Sequence, residues 1–128
     1  GEVSLKPFGQ AGGTTLLPGG YTSPERFART AFQKTHIQMS ADDTETVIAC
    51  FHILENVTVP KGVVLTDRGT CDYTKYVALM NTKTCEYFFK TYENSEIAVA
   101  GLWVHDENRK QPICLGDLAR PVFFREIS

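Results

Sequence analysis

The chain has no apolar run near the eighteen or so residues of a membrane span, and no basic-then-apolar leader at its N-terminus. A spanning segment and an intact signal peptide are therefore excluded from the expectation, and a secreted protein would be read here in its mature form. Strong charge of one sign is also missing. Thirteen Lys plus Arg against fifteen Asp plus Glu give −2 and a pI near 5.9. That balance speaks against a nucleic-acid or anionic-membrane binder working by bulk charge. The sequence has no GxSxG elbow, HExxH, P-loop, or GxGxxG between a strand and a helix. Its four cysteines form no CxxC pair and have no histidine at zinc-ligand spacing, so neither a metal site nor a cofactor is expected.

What is present suits one domain. The 128 residues are 42% hydrophobic and 22% charged, ordinary globular composition. Residues 1–22 carry Gly9, Gly12, Gly13, Gly19 and Gly20 with Pro7 and Pro18, and read as a flexible glycine-rich arm. Residues 23–128 read as a single disulfide-linked β domain. Cys50, Cys71, Cys85 and Cys114 are an even, widely spaced set, for which two disulfides are the natural reading and buried free thiols the alternative. Asn56-Val57-Thr58 is an N-glycosylation acceptor. Together these features favour a secreted, extracellular protein.

Ser23 as a cap, Pro24 in the first turn and Glu25 at the positive end of the dipole predict a helix over about 24–34, with Phe27, Ala31 and Phe32 on one face. After residue 35 the pattern reads mainly as strands. Thr46–Leu54 is dense in β-branched and aromatic residues and predicts a strand that is apolar on both faces. Residues 56–65 turn at Pro60 and Gly62 and resume at Val63–Leu65, and Asp67-Arg68-Gly69 is a further turn. Tyr76–Met80, Cys85–Tyr92 and Ile97–Val104 predict three strands joined by short polar turns, hence antiparallel neighbours. Pro112 opens a short helix through Leu118. The expected class is mainly β (α+β): one N-terminal helix and an antiparallel sheet or small barrel.

Alternation puts Tyr87 and Phe89 on one face, beside Ile97, Val99, Gly101 and Trp103 of the next strand. Either these fill the core or, with Phe51 and Tyr76, they line a cavity for a small apolar or aromatic ligand. His36, Glu55, Arg68 and His105 occur in an order compatible with a ribonuclease acid–base set, without any local motif around them. His52 reads as a wall residue and His105, beside Asp106, as a surface turn residue.

The runs Tyr76–Phe89, Gly101–Asp106 and Gln111–Leu115 resemble the C-terminal part of tick salivary lipocalins, including the histamine-binding type. Phe27–His36 and Val47–Phe51 resemble that family's helix and early strands. The resemblance implies a lipocalin-like barrel, here shortened. It implies a Cys85–Cys114 disulfide, with Cys71 replacing the missing C-terminal partner of Cys50. It also implies a non-enzymatic, monomeric salivary glycoprotein that binds a small ligand or a host protein to modulate host defence, with no nucleic-acid or membrane partner. Gly101 stands where amine-binding members carry an acidic residue. The glycine arm, residues Val57–Gly62 and Leu102-Trp103 also resemble a cystatin's inhibitory wedge, although QxVxG and Pro-Trp are absent.

Overall fold

The computed structural model describes residues 9, 12–104, 108–116 and 120–128. A 3-10 turn at Gly12–Thr14 precedes helix α1, Ser23–His36, and helix α2, Asp43–Glu55. Strands β1 (Val64–Leu65) and β2 (Cys71–Asp72) form a small antiparallel ribbon. Strands β3 (Tyr76–Asn81), β4 (Glu86–Thr91) and β5 (Ala98–Gly101) form an antiparallel sheet in that order, followed by a 3-10 turn at Leu102–Val104. Among the described residues no helix is long and apolar enough to cross a membrane.

Helix α1 begins one residue earlier than the sequence suggests, because Thr22 rather than Ser23 is the cap. The Thr22 N–H and hydroxyl both donate to Glu25 Oε2, at 3.2 and 2.5 Å. These bonds hold the Glu25 carboxyl below its ordinary pKa of 4.5, the Thr22 side-chain bond contributing most. A depressed folded-state pKa means the cap is fully stabilising above about 4.5 and weakens as pH falls through the lower value. The far-ultraviolet helical signal is therefore expected to show an acid step that Glu25→Gln abolishes. A Cβ on Gly20 would collide with that carboxylate. Gly20→Ala is expected to displace the Glu25 carboxylate and weaken the cap, read as a small fall in thermal midpoint.

The largest departure from expectation is α2. Residues 46–54 are helical, not extended. Asp42 caps the helix by accepting from the Glu45 N–H at 2.8 Å, and Asp43 and Glu45 sit in the first turn at the positive end of the dipole. Thirteen residues is also helix length rather than strand length. The β-branched residues are accommodated because the helix is packed: Phe51 and Ile53 are buried, and α2 lies against β3. The expected mainly β barrel is thus replaced by two helices and two small open sheets.

The three-stranded sheet has the expected antiparallel order. Its register, however, sets Ala98 and Ala100 beside Phe89 and Tyr87, while Val99 and Gly101 lie across from Phe88 and Glu86 on the other face, not with Tyr87 and Phe89 as the sequence suggests. Asn81 pairs with Glu86 across the hairpin, whose turn is held by Asn81 Oδ1 accepting from the N–H groups of Lys83 and Thr84. Cys85 closes that turn in the left-handed region, φ 55°, which is costly for a residue bearing a Cβ. Strand β5 stops at Gly101, so Trp103 lies in the 3-10 turn and not in a strand. Residues 112–116 are not helical, and the rest of the short helix expected there, Asp117 and Leu118, lies outside the described residues. The buried Asn94 ties the β4–β5 loop to the C-terminal segment, donating to Pro121 O at 3.1 Å and accepting from the Glu96 N–H at 2.9 Å.

Candidate functional site

The sheet has two unlike faces. On the α2 side, Lys90 lies over the Phe51 ring, 5.5 Å from its centroid, and pairs with Glu55 at the end of the helix. The Lys90 side chain is only 12% exposed, so the ion pair anchors helix to sheet. The adjacent ammonium, more than any other partner, holds the Glu55 carboxyl below its ordinary value of 4.5. On the opposite face Ala78, Met80, Tyr87, Phe89, Ala98 and Ala100 follow one another by strand register. At its end an open apolar groove of about 510 Å³ is lined by Met80, Tyr87, Ala100, Leu102 and Leu115, with Cys85 at the rim.

Of the five expected ligand-contacting residues, only Tyr87 lines this groove. Phe89 is its neighbour on β4, the ring centroids 6.0 Å apart. Phe51 belongs to α2 and is 3% exposed, on the other side of the sheet. Tyr76 at the start of β3 and Trp103 are 56% and 62% exposed and do not join them. The residues do not converge on one enclosed cavity.

The expected cross-links are also not formed: Cys50, Cys71, Cys85 and Cys114 are all free thiols, so neither Cys50–Cys71 nor Cys85–Cys114 is bridged. Asn56 caps α2 and donates its side-chain amide to His52 O at 2.8 Å. His52 is itself an exposed residue of that helix and not part of a strand wall. The ribonuclease set does not assemble either. His36 ends α1, Arg68 sits in the β1–β2 turn, Glu55 is engaged by Lys90 and His52, and His105 and Asp106 lie outside the described residues.

Sequence reasoning passes over Arg29. Its guanidinium donates to Pro18 O at 2.8 Å, to Gly20 O at 2.6 Å and to Asn56 O at 3.3 Å. One half-buried cation thus clasps the loop before α1 and the end of α2. The sequence carries no sign of this role, because it sets Phe27 on the apolar face of α1 with Ala31 and Phe32, whereas Phe27 is in fact solvent-exposed.

Amide or ester cleavage by a side chain needs a nucleophile, a proton acceptor within hydrogen-bond reach, and donors for the developing oxyanion. Two of the cysteine thiols instead engage carbonyls, Cys85 with Thr82 O and Cys114 with Gly116 O. Among the described residues Thr35 Oγ1 contacts His36 Nδ1, but both groups are also turned to helix carbonyls. Among the described residues no nucleophile stands beside a proton acceptor and oxyanion donors, and no group of three His, Cys, Asp or Glu side chains is placed to hold a metal.

The profile of the linear amide C–N hydrolases, choloylglycine hydrolase family, matches residues 1–115. The chain belongs to this family. It is 36% identical over 97 residues to the bile salt hydrolase/transferase of Clostridium perfringens, covering 76% of this chain and 30% of that one. The bile salt hydrolase/transferase of Bifidobacterium longum is 30% identical over 97 residues, covering 76% and 31%. A crystal structure of a variant of the conjugated bile acid hydrolase from C. perfringens superposes with a TM-score of 0.66 at 33% identity, covering 83% of this chain and 32% of that one. Penicillin V acylase from Agrobacterium tumefaciens gives 0.61 at 26% identity, covering 73% and 30%. The chain spans about a third of the length of these relatives.

Family membership overturns the lipocalin and cystatin resemblances and the lipocalin-like fold, since the fold matches Ntn-hydrolase structures. It likewise replaces a non-enzymatic binder of a small ligand or host protein, and the ribonuclease alternative, with a family of amide hydrolases. The salivary and host-defence roles fall with them.

Proposed function

We propose that this chain is a framework segment of an enzyme that hydrolyses the amide C–N bond of a conjugated bile acid. The observation that carries this reading is the family match over residues 1–115, which includes every helix and strand described above. The chemistry is consistent with it in a particular way. Among the described residues no nucleophile stands with a proton acceptor and oxyanion donors, so in this reading the segment's part is to hold in place reacting groups supplied elsewhere in the family fold.

The apolar sheet face opposite α2 is the surface suited to receive that remaining part. Met80 is 72% exposed there, with Tyr87 beside it, and packing a second sheet onto such a face recovers about 25 cal/mol for each Å² removed from water. Two substrate classes are separated by experiment, because relatives include both conjugated bile acid hydrolases and a penicillin V acylase. The isolated chain, incubated with a conjugated bile acid or with penicillin V, is expected to release no ninhydrin-reactive amine. Turnover by the isolated chain would overturn the framework assignment. Once the rest of the fold is supplied, hydrolysis of penicillin V in preference to the conjugated bile acid would overturn the substrate assignment.

A further inference from the structure

At the end of the sheet away from the β3–β4 hairpin, a cavity of about 230 Å³ opens between the C-terminus of α2, the start of β3 and the end of β4. Its charged wall is the Lys90–Glu55 pair, which sets an ammonium and a carboxylate side by side. Neither group is exhausted by the pairing. An ammonium has three donors and a carboxylate accepts at two oxygens, so each can still take a ligand group. Lys90 is the more sheltered of the two, and water competes less for it.

The rest of the wall is rich in hydroxyls. Three of them accept from backbone N–H groups: Thr74 Oγ1 from Val59 at 2.9 Å, Tyr92 Oη from Lys61 at 3.1 Å and Thr91 Oγ1 from Asn94 at 3.2 Å. A hydroxyl that accepts in this way keeps its own proton to donate. Two more, on Thr58 and Ser95, meet no hydrogen-bond partner among the described residues. The cavity thus offers several donors, three of them fixed in place by the backbone, around one ion pair.

From this arrangement we infer that the cavity binds a small zwitterion of the free amino acid class. Its carboxylate accepts from Lys90 and from the hydroxyls of Thr74, Thr91 and Tyr92, and its ammonium donates to Glu55. Charge selects the class. A plain anion gains Lys90 but faces Glu55, and a plain cation gains Glu55 but faces Lys90; a molecule with both charges is attracted by both. The volume of about 230 Å³ lies below the roughly 300–1,000 Å³ of pockets for drug-sized ligands, which restricts the occupant to a small one. The cavity shares no residue with the apolar groove at the hairpin end, so the site is independent of the hydrolase reading.

The test is a nuclear magnetic resonance titration of glycine, the simplest such molecule, into the ¹⁵N-labelled 128-residue chain at about pH 6.5, where both of its ends are ionised. The amide signals of Val59, Lys61 and Asn94 should shift saturably, because the hydroxyls that accept from them then donate to the ligand. Acetate and methylamine, each carrying one end of glycine, should bind at least tenfold more weakly. Thr58→Val combined with Ser95→Ala removes two hydroxyls that bond to no described residue, and should weaken glycine several-fold. Glu55→Gln should reverse the preference from glycine to acetate, since Lys90 is then left unneutralised. No saturable shift, acetate or methylamine binding as tightly as glycine, an unchanged affinity in the double hydroxyl variant, or an unchanged preference in Glu55→Gln would each overturn the site.

Discussion

Phe51→Ala is expected to destabilise the protein by about 3–5 kcal/mol, the usual cost of removing a buried aromatic ring from a packed core. Among the described residues Phe51 is the most buried hydrophobic side chain, with Ile53 and Val59 also in the core. It does more than fill volume. The ring faces the Lys90 ammonium, and Lys90 in turn holds Glu55, so its loss leaves a largely desolvated cation beside a cavity. Urea unfolding should show a lower midpoint with little change in slope. Phe51→Leu, which keeps most of the volume, is expected to recover more than half the loss. A change below about 1 kcal/mol for Phe51→Ala, well under the usual cost, would mean that α2 does not dock on the sheet as described.

Arg29→Ala is expected to cost about 2–4 kcal/mol, since hydrogen bonds to a charged group are worth more than neutral ones and three carbonyls lose their donor together. The carbonyls of Pro18 and Gly20 belong to the loop before α1 and that of Asn56 to the end of α2, so both loosen at once. Arg29→Lys is expected to recover little. A single ammonium cannot reproduce the planar fork that reaches three acceptors. Hydrogen exchange should locate the effect in residues 18–22 and 52–58, leaving the β3–β4 hairpin protected.

The β3–β4–β5 meander is legible in the sequence because alternation at Tyr76–Met80, Cys85–Tyr92 and Ile97–Val104 and the short polar turns between them are local properties. Helix α1 is legible from Pro24 and Glu25. At Val47–Phe51 the departure from expectation has a definite cause: β-branched density outweighs the cap at Asp42, the acidic first turn and the thirteen-residue length. It matters beyond one element. A strand at that point invites a barrel, and with it a lipocalin, while a period of 3.6 places Phe51 and Cys50 differently from a period of two. Tyr87 in the groove follows from alternation; Trp103 does not, because Gly101 ends β5. The hydrolase chemistry is not legible because the described residues assemble no nucleophile with its base, and so carry no local motif to read.

The most direct measurement of the central claim is amine release from a conjugated bile acid by a chimera. In it, residues 1–115 of this chain replace the matching segment of the C. perfringens bile salt hydrolase/transferase. A folded chimera that hydrolyses the substrate within about a hundredfold of the parent, roughly 2.7 kcal/mol of transition-state stabilisation, is the predicted result. A chimera with the parent's fold and thermal stability but no amine release would contradict the account.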